Sequence, residues 1–233
     1  MSERYNFAMG AIFPTEHDLK GVVYDIPKGV NNLMNISQRM VKNFFEILSM
    51  KDGLEFSTSS QLNCGERVSV RKNLETTQQQ GFIATAATSL WLPLSFETIF
   101  NFLKDDNTRC QCYMPTENKL LLQESNIDEM GAFLIYELID LSTYNSIVDG
   151  SDAKEFAILP SGIIISHDDR LGSKRNNNGN VQNGSILTVA LQELVCANNH
   201  LISQQQQMEA MTYIHNLLSS TILKIKAALC YSD

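Results

Sequence analysis

No apolar run of about 18 residues occurs in this sequence, and its opening lacks a charged-apolar-small pattern, so neither a membrane span nor a secretory signal is expected. Basic residues are scarce as well: 18 Lys and Arg stand against 26 Asp and Glu, a formal charge of -8. Nucleic-acid binding runs on neutralising phosphates with Lys and Arg, so autonomous DNA contact is not expected. Cysteine is present as an odd set of five, Cys64, Cys110, Cys112, Cys196 and Cys230. Without a signal peptide, that set reads as reduced thiols in the cytosol or nucleus rather than a disulfide framework. The sequons at Asn35 and Asn183 are then silent.

Reactive motifs are equally thin. The sequence has no G-x-S-x-G, no H-E-x-x-H and no glycine-rich phosphate loop. Cys110 and Cys112 share one face of an extended segment, and His167, Asp168 and Asp169 cluster in a turn, but no second CxC or CxxC completes a four-ligand zinc site. His17, His200 and His215 are scattered. The acidic pairs Asp105/Asp106 and Asp168/Asp169 are adjacent in sequence, which makes their side chains diverge on a strand or sit solvated in a turn. No catalytic, metal or cofactor residue is assigned, and an enzyme is not expected. Internal repeats and coiled-coil heptads are missing too.

What the chain does have is apolar content, 43% of 233 residues, enough to bury roughly 70 to 75% of its unfolded surface in one large or two small cores. Ser2 to Met9 carry a brief helical pattern that Pro14 and "TEHDLKG" interrupt. Leu33, Met34, Met40, Val41, Phe44, Phe45 and Leu48 recur at three- and four-residue steps, predicting a helix over Val30 to Met50. "ERVSVRK" and "GFIATAATSLWL" alternate or run extended and predict strands. Phe96, Ile99, Phe100 and Leu103 follow at i, i+3, i+4 and i+7, with Ser95 placed as a cap, Glu97 near the helix start and Lys104 near its end. Downstream, "KLLLQE", "GAFLIYELI", "STYNSIVD", "EFAIL" and "GIIIS" have the spacing of an antiparallel sheet, and Lys174 to Gly184 form a polar loop. Ser185 to Val195 fit a strand slightly better than a helix. A long final helix, from about Gln205 to Leu229, carries the stripe Met208, Met211, Ile214, Leu218, Ile222, Ile225 and Leu229. The fold class expected is α+β, an antiparallel sheet covered by that helix.

Trp91, the only tryptophan, lies two residues before Pro93. Proline withholds a backbone donor and keeps Leu92 extended, so the strand ends just ahead of the Ser95 cap. The indole either plugs the sheet edge or faces a cavity. An apolar cavity here would be lined by Trp91, Phe100, Met211, Leu218 and Ile222.

"GFIATAATSLWLPLSFETIFNFLKDD" resembles the C-terminal region of the plant class IV homeodomain-leucine zipper transcription factors, in which a strand ending A-A-T-S-x-W-L-P leads into a helix bearing F-x-F-L-[KR]-D. "SERYNFAM" resembles the closing helix of that family's START domain, and "QRMVKNFF" the linker helix after it. "LLLQES", "FAILPSGIIIS", "GSILTVALQELV" and "STILKIKAAL" follow in family order. The resemblance implies a START-like helix-grip fold, with residues 1–29 as a remnant of the START end and linker, and residues 30–233 as the START-like domain led by the helix 30–50. It also implies a nuclear regulator of transcription whose homeodomain, zipper and most of START precede this region. One departure stands out: after Arg109 the family continues with a tryptophan-containing segment and a strand hairpin, whereas this chain gives "CQCYMPTENK" and passes almost at once to "LLLQES". Missing strands leave an open sheet edge unless something covers it.

The function expected is a truncated, non-enzymatic homologue of such a regulator that binds protein partners, full-length family members among them, without touching nucleic acid itself. The alternatives are a lipid- or sterol-binding START-like module, which helix-grip folds permit, and a gene fragment without a function.

Overall fold

Val195 to Ser185 lie in register against Phe82 to Leu92, an eleven-residue antiparallel ladder joining two distant parts of the chain. The computed structural model in which this ladder is seen describes residues 6–10, 27–49, 65–72, 81–105, 119–152, 156–168, 184–195 and 203–230. In chain order the strands are β1 (Asn6–Gly10), β2 (Arg67–Lys72), β3 (Phe82–Leu92), β4 (Lys119–Asp128), β5 (Gly131–Asp140), β6 (Ser161–His167) and β7 (Ser185–Val195). The helices are α1 (Pro27–Leu48), α2 (Phe96–Lys104), α3 (Leu141–Val148) and α4 (Gln204–Cys230). One sheet takes the order β1-β4-β5-β6-β7-β3-β2, with every pairing antiparallel. The α+β class and the long closing helix expected from the sequence are both present.

Each face of the sheet has its own core. The inner face packs Val68, Ala84, Ala86, Leu134, Ile163, Ile165, Leu187, Val189 and Leu191 against α2 and α4. On the outer face, Ala87, Leu120, Leu122, Ile135, Ile139 and Ala190 meet Leu33, Ile36, Met40 and Phe44 of α1 and Tyr144, Ile147 and Val148 of α3. Covering on both sides explains why β5 and β6 read as nearly continuous apolar runs instead of alternating.

α1 begins earlier than predicted, at Pro27, a residue suited to a helix's first turn because its missing N–H would be unpaired there anyway. Its buried line is Leu33, Ile36, Met40, Phe44 and Ile47, while Met34 and Phe45 are exposed. Two polar contacts fix the helix. Asn32 donates to the carbonyls of Ile147 and Ser151 at 3.2 and 2.9 Å, satisfying the end of α3, and Arg39 donates to the Phe156 carbonyl at 3.2 Å. The Phe44 ring lies on Gly162 of β6, where a Cβ would come within 3.0 Å of it and within 2.9 Å of the Leu134 carbonyl oxygen.

The corner at Ser95 forms as its residues predict. Ser95 Oγ accepts from the Thr98 N–H at 3.2 Å, Glu97 and Lys104 occupy the first and last turns, and Phe96, Ile99, Phe100 and Leu103 are all buried.

Four expectations need correction. "STYNSIVD" is α3, because Tyr144, Ile147 and Val148 recur at helical spacing and fill the outer core. Within "EFAIL", the described residues form no strand: Ile158 is buried in the outer core and the Phe156 carbonyl is taken by Arg39, so side chains rather than a ladder occupy this segment. Of Ser2 to Met9, expected to be helical, the described residues from Asn6 on belong to strand β1 (Asn6–Gly10) beside β4; a helix this short is marginal alone, whereas a sheet edge supplies its hydrogen bonds at once. The buried stripe of α4 keeps Ile214, Leu218, Ile225 and Leu229 of the one predicted, with Met211 and Ile222 half-buried beside it, but it also takes in Ala210 and Thr221, and Met208 is 60% exposed. The predicted loop at Lys174 to Gly184 lies outside the described residues, apart from Gly184.

Candidate functional site

The inner face carries most of the residues expected to line a cavity. Ala84 and Ala86 of β3 present almost no side chain, and Ala210 of α4 is equally small, so the helix seats closely on the sheet and Ile214 and Leu218 fill the remaining depth. Of the residues expected to line a cavity, Phe100 and Leu218 are buried in this core, and Met211 and Ile222 are half-buried at its rim. Trp91 is not with them. Strand alternation turns it to the outer side, 45% exposed, where its indole rests on Gly184 so closely that a Cβ there would overlap the ring. Of the two places weighed for it, facing a cavity beside Phe100 is therefore excluded. α4 is further fixed by Ser203, which accepts from the Gln206 N–H at 3.2 Å while its own N–H donates to Gln206 Oε1 at 3.0 Å, a reciprocal capping box.

The histidines read as scattered sit in structural contacts. His215 of α4 meets Glu66 at 2.6 Å, clasping the helix to the start of β2. His167 packs edge-on to Phe96, with ring centroids 4.2 Å apart, and the Asp168 N–H donates to the Gly184 carbonyl. Among the described residues, no group of three or more His, Cys, Asp or Glu could hold a metal ion. His17, His200, Asp106, Asp169, Cys64, Cys110, Cys112, Cys196 and the sequon at Asn183 lie outside the described residues. At the other sequon, Asn35-Ile36-Ser37, the serine is buried inside α1.

Residues that sequence reasoning passed over are buried acids. Glu124 of β4 is 5% exposed, and burial raises its pKa, with the Ser37 hydroxyl of α1 pulling the other way. In β5, Glu137 is pushed up to about 8 by burial. A hydrogen bond from the Leu159 N–H opposes that shift, the charge of Glu193 adds to it, and Lys119 offsets it. The Oε2 atom of Glu137 is sealed from solvent and has no hydrogen-bond partner among the described residues. Burial raises Glu193 as well, with Lys119 again opposing. Beside them, Gln192 uses its whole amide group: Nε2 donates to the Pro160 carbonyl at 2.9 Å and Oε1 accepts from Arg71 at 3.5 Å. The available signal was an acid in the middle of an apolar run, as in "FLIYELI". This arrangement holds strand ends in place; Glu137, the most perturbed of these acids, has one oxygen on a backbone N–H and the other out of reach of solvent.

The two sheet edges differ in kind. Edge strand β2 exposes Arg67, Arg71 and Lys72, charges that discourage further pairing. β4 has the burial of an interior strand: Leu120, Leu122, Gln123, Glu124 and Ser125 are all buried, and its exposed charges stand at its ends, Lys119 and Asp128. β1 covers its middle, from Leu121 to Ser125.

A family model described as the PDF2-like, C-terminal domain matches residues 26–114 and 110–231. The two matched segments overlap at residues 110–114, between α2 and β4. Homeobox-leucine zipper protein HDG11 of Arabidopsis thaliana is 30% identical over 254 residues, taking in 92% of this chain and 34% of its own length. HDG12 of the same plant is 32% identical over 247 residues, with 91% and 34% covered. ROC8 of Oryza sativa subsp. japonica is 29% identical over 274 residues, with 97% and 38% covered. Since 92% of 233 residues cannot fill 254 positions, HDG11 carries residues that this chain lacks. The chain thus spans about a third of the length of the curated relatives it matches. With the sheet, the Ser95 corner and the closing helix in the order that the resemblance requires, the chain belongs to the PDF2-like C-terminal domain family of the class IV homeobox-leucine zipper proteins.

Proposed function

We propose that the chain acts without catalysis, as a protein-interaction module in transcriptional regulation, in the nucleus, and that it reaches DNA only through its partners. The observation that carries this reading is the family match across residues 26–231, confined to about a third of relatives whose names are those of homeobox-leucine zipper proteins. The acidic balance of -8 supports it, since phosphate binding would need the opposite sign. The partners proposed are homeobox-leucine zipper relatives.

Co-purification with such a relative is the test, alongside a mobility-shift assay on the relative's DNA. The chain alone should leave the DNA unshifted and should supershift the relative's complex. A solitary chain that neither associates with the relative nor alters its complex overturns the proposal. Lipid or sterol held under α4 is the competing reading. The close seat of α4 on Ala84 and Ala86 speaks for the interaction module, and a rise in melting temperature of delipidated protein with a lipid panel would reverse that preference.

A further inference from the structure

The outer face of the sheet has a covered part and an open one. Ile135, Gly162, Ala190 and Ala87 stand side by side across four strands and are buried, with the Phe44 ring lying on Gly162. Side chains alternate with period two, so the same face continues two residues further along each strand. There Phe133, Ile164, Thr188 and Ser89 form the next row, and Ser166, Ile186 and Trp91 the one after it. None of these residues is buried. Phe45 of α1, exposed itself, bounds the ledge with its ring centroid 5.8 Å from that of Phe133. Through Gly131 the outermost row reaches Asp128, so the ledge runs over five strands from β3 to β4, on the order of 19 Å at about 4.8 Å per strand spacing.

Its middle is apolar and its rim is acidic. The Ser89 and Thr188 hydroxyls share a hydrogen bond of 2.8 Å, which lowers the cost of taking them out of water. Asp128 and Glu129 stand at the β4–β5 turn, and Asp168 is the next residue after Ser166 on the same face. These rows contain no Lys or Arg, and Lys42, one turn before Phe45, lies 3.8 Å from Glu46. A second copy of this chain, at -8 like the first, would set acid against acid. We infer that this ledge docks a basic amphipathic helix of a protein partner, with about 13 residues covering the span at about 1.5 Å per residue. The inference rests on the reading of the chain as a protein-interaction module, and adds where the partner sits and what chemistry it carries.

Trp91, the only tryptophan, reports occupancy directly. A synthetic peptide of about 14 residues, with Leu at i, i+3, i+4 and i+7 and Lys elsewhere, is titrated into the full chain while tryptophan emission is followed. Emission should change saturably, and the same peptide with Glu in place of Lys should leave it unchanged. Ile186→Lys places a cation on the ledge and should weaken binding about tenfold or more. Leu223→Lys makes the same change of charge at an exposed position on α4, across the sheet, and should stay within about twofold of the parent. Asp128→Asn keeps an acceptor for the Met130 N–H and should weaken binding about threefold, with a shallower salt dependence. Three results would overturn the inference: no saturable change, equal binding of the Glu peptide, or Ile186→Lys and Leu223→Lys weakening binding alike. Should Ile186→Lys lose the parent's circular dichroism, Asp128→Asn decides, and unaltered affinity and salt dependence in that variant count against the ledge. A relative that fails to co-purify changes none of these readouts, so the two proposals fail separately.

Discussion

Replacing Glu137 with glutamine should remove a pH dependence that the fold now carries. The ordinary glutamate value of 4.5 is raised to about 8 in the folded chain, so between these limits the native state holds a proton that the unfolded chain has released. Stability from this group is complete below pH 4.5 and is lost as pH rises through 8, at about 1.36 kcal/mol per pH unit. By pH 7 the loss is on the order of 3 kcal/mol. A glutamine keeps the hydrogen bond from Leu159 and stays neutral throughout. Its amide nitrogen takes the place of the sealed Oε2 and can cost about 1 to 3 kcal/mol, but at every pH alike. The decisive quantity is therefore the difference in slope. Urea unfolding of both proteins from pH 5 to 8.5 should show the variant gaining on the parent by about 4 kcal/mol across that range. The general repulsion of an acidic chain cancels in the comparison. Curves that stay parallel would refute the burial argument.

Gly184→Ala should push the indole of Trp91 off its seat; because Trp91 is the only tryptophan, its fluorescence emission should shift, and an unchanged spectrum would contradict the contact. Gly162→Ala places a Cβ against the Leu134 carbonyl and the Phe44 ring and should cost about 1 to 3 kcal/mol by denaturation, with α1 loosening first in hydrogen exchange. Full stability in that variant would mean that α1 does not lie on β6. Ser203→Ala breaks the capping box and should lower stability by about 1 kcal/mol, with faster exchange confined to the first turn of α4; uniform exchange along the helix would argue against a local cap.

The parts of this fold that were legible in sequence are those where hydrophobicity and burial coincide. In α2 the four apolar positions read at helical spacing, Phe96, Ile99, Phe100 and Leu103, are the four buried ones, and its cap and end charges all match. β5 and β6 announce burial on two faces through nearly continuous apolar runs. In α4 the predicted Ile214, Leu218, Ile225 and Leu229 are buried, while Ala210 and Thr221 complete the contact line, residues that a hydrophobic stripe passes over in favour of Met208. α3 was taken for a strand because Tyr144, Ile147 and Val148 suit strands by type, and only the outer core they fill makes them helical. The buried acids lay out of reach for a related reason. What sets Glu137 apart is its burial, with Leu159, Glu193 and Lys119 around it, and that surrounding comes from tertiary packing, not from local sequence.

The pairing of β3 with β7 also bears on how the molecule is made. Phe82 cannot find Val195 until more than a hundred further residues have left the ribosome, a wait of roughly 5 to 20 seconds at ordinary rates of synthesis. During that time the β2–β3 hairpin has no docking site, and the apolar side meant for α4 stays open, since the helix is translated after every strand. Nascent chains of this protein should therefore depend on chaperones late and briefly, with protection arriving almost all at once as the last strand and the helix emerge.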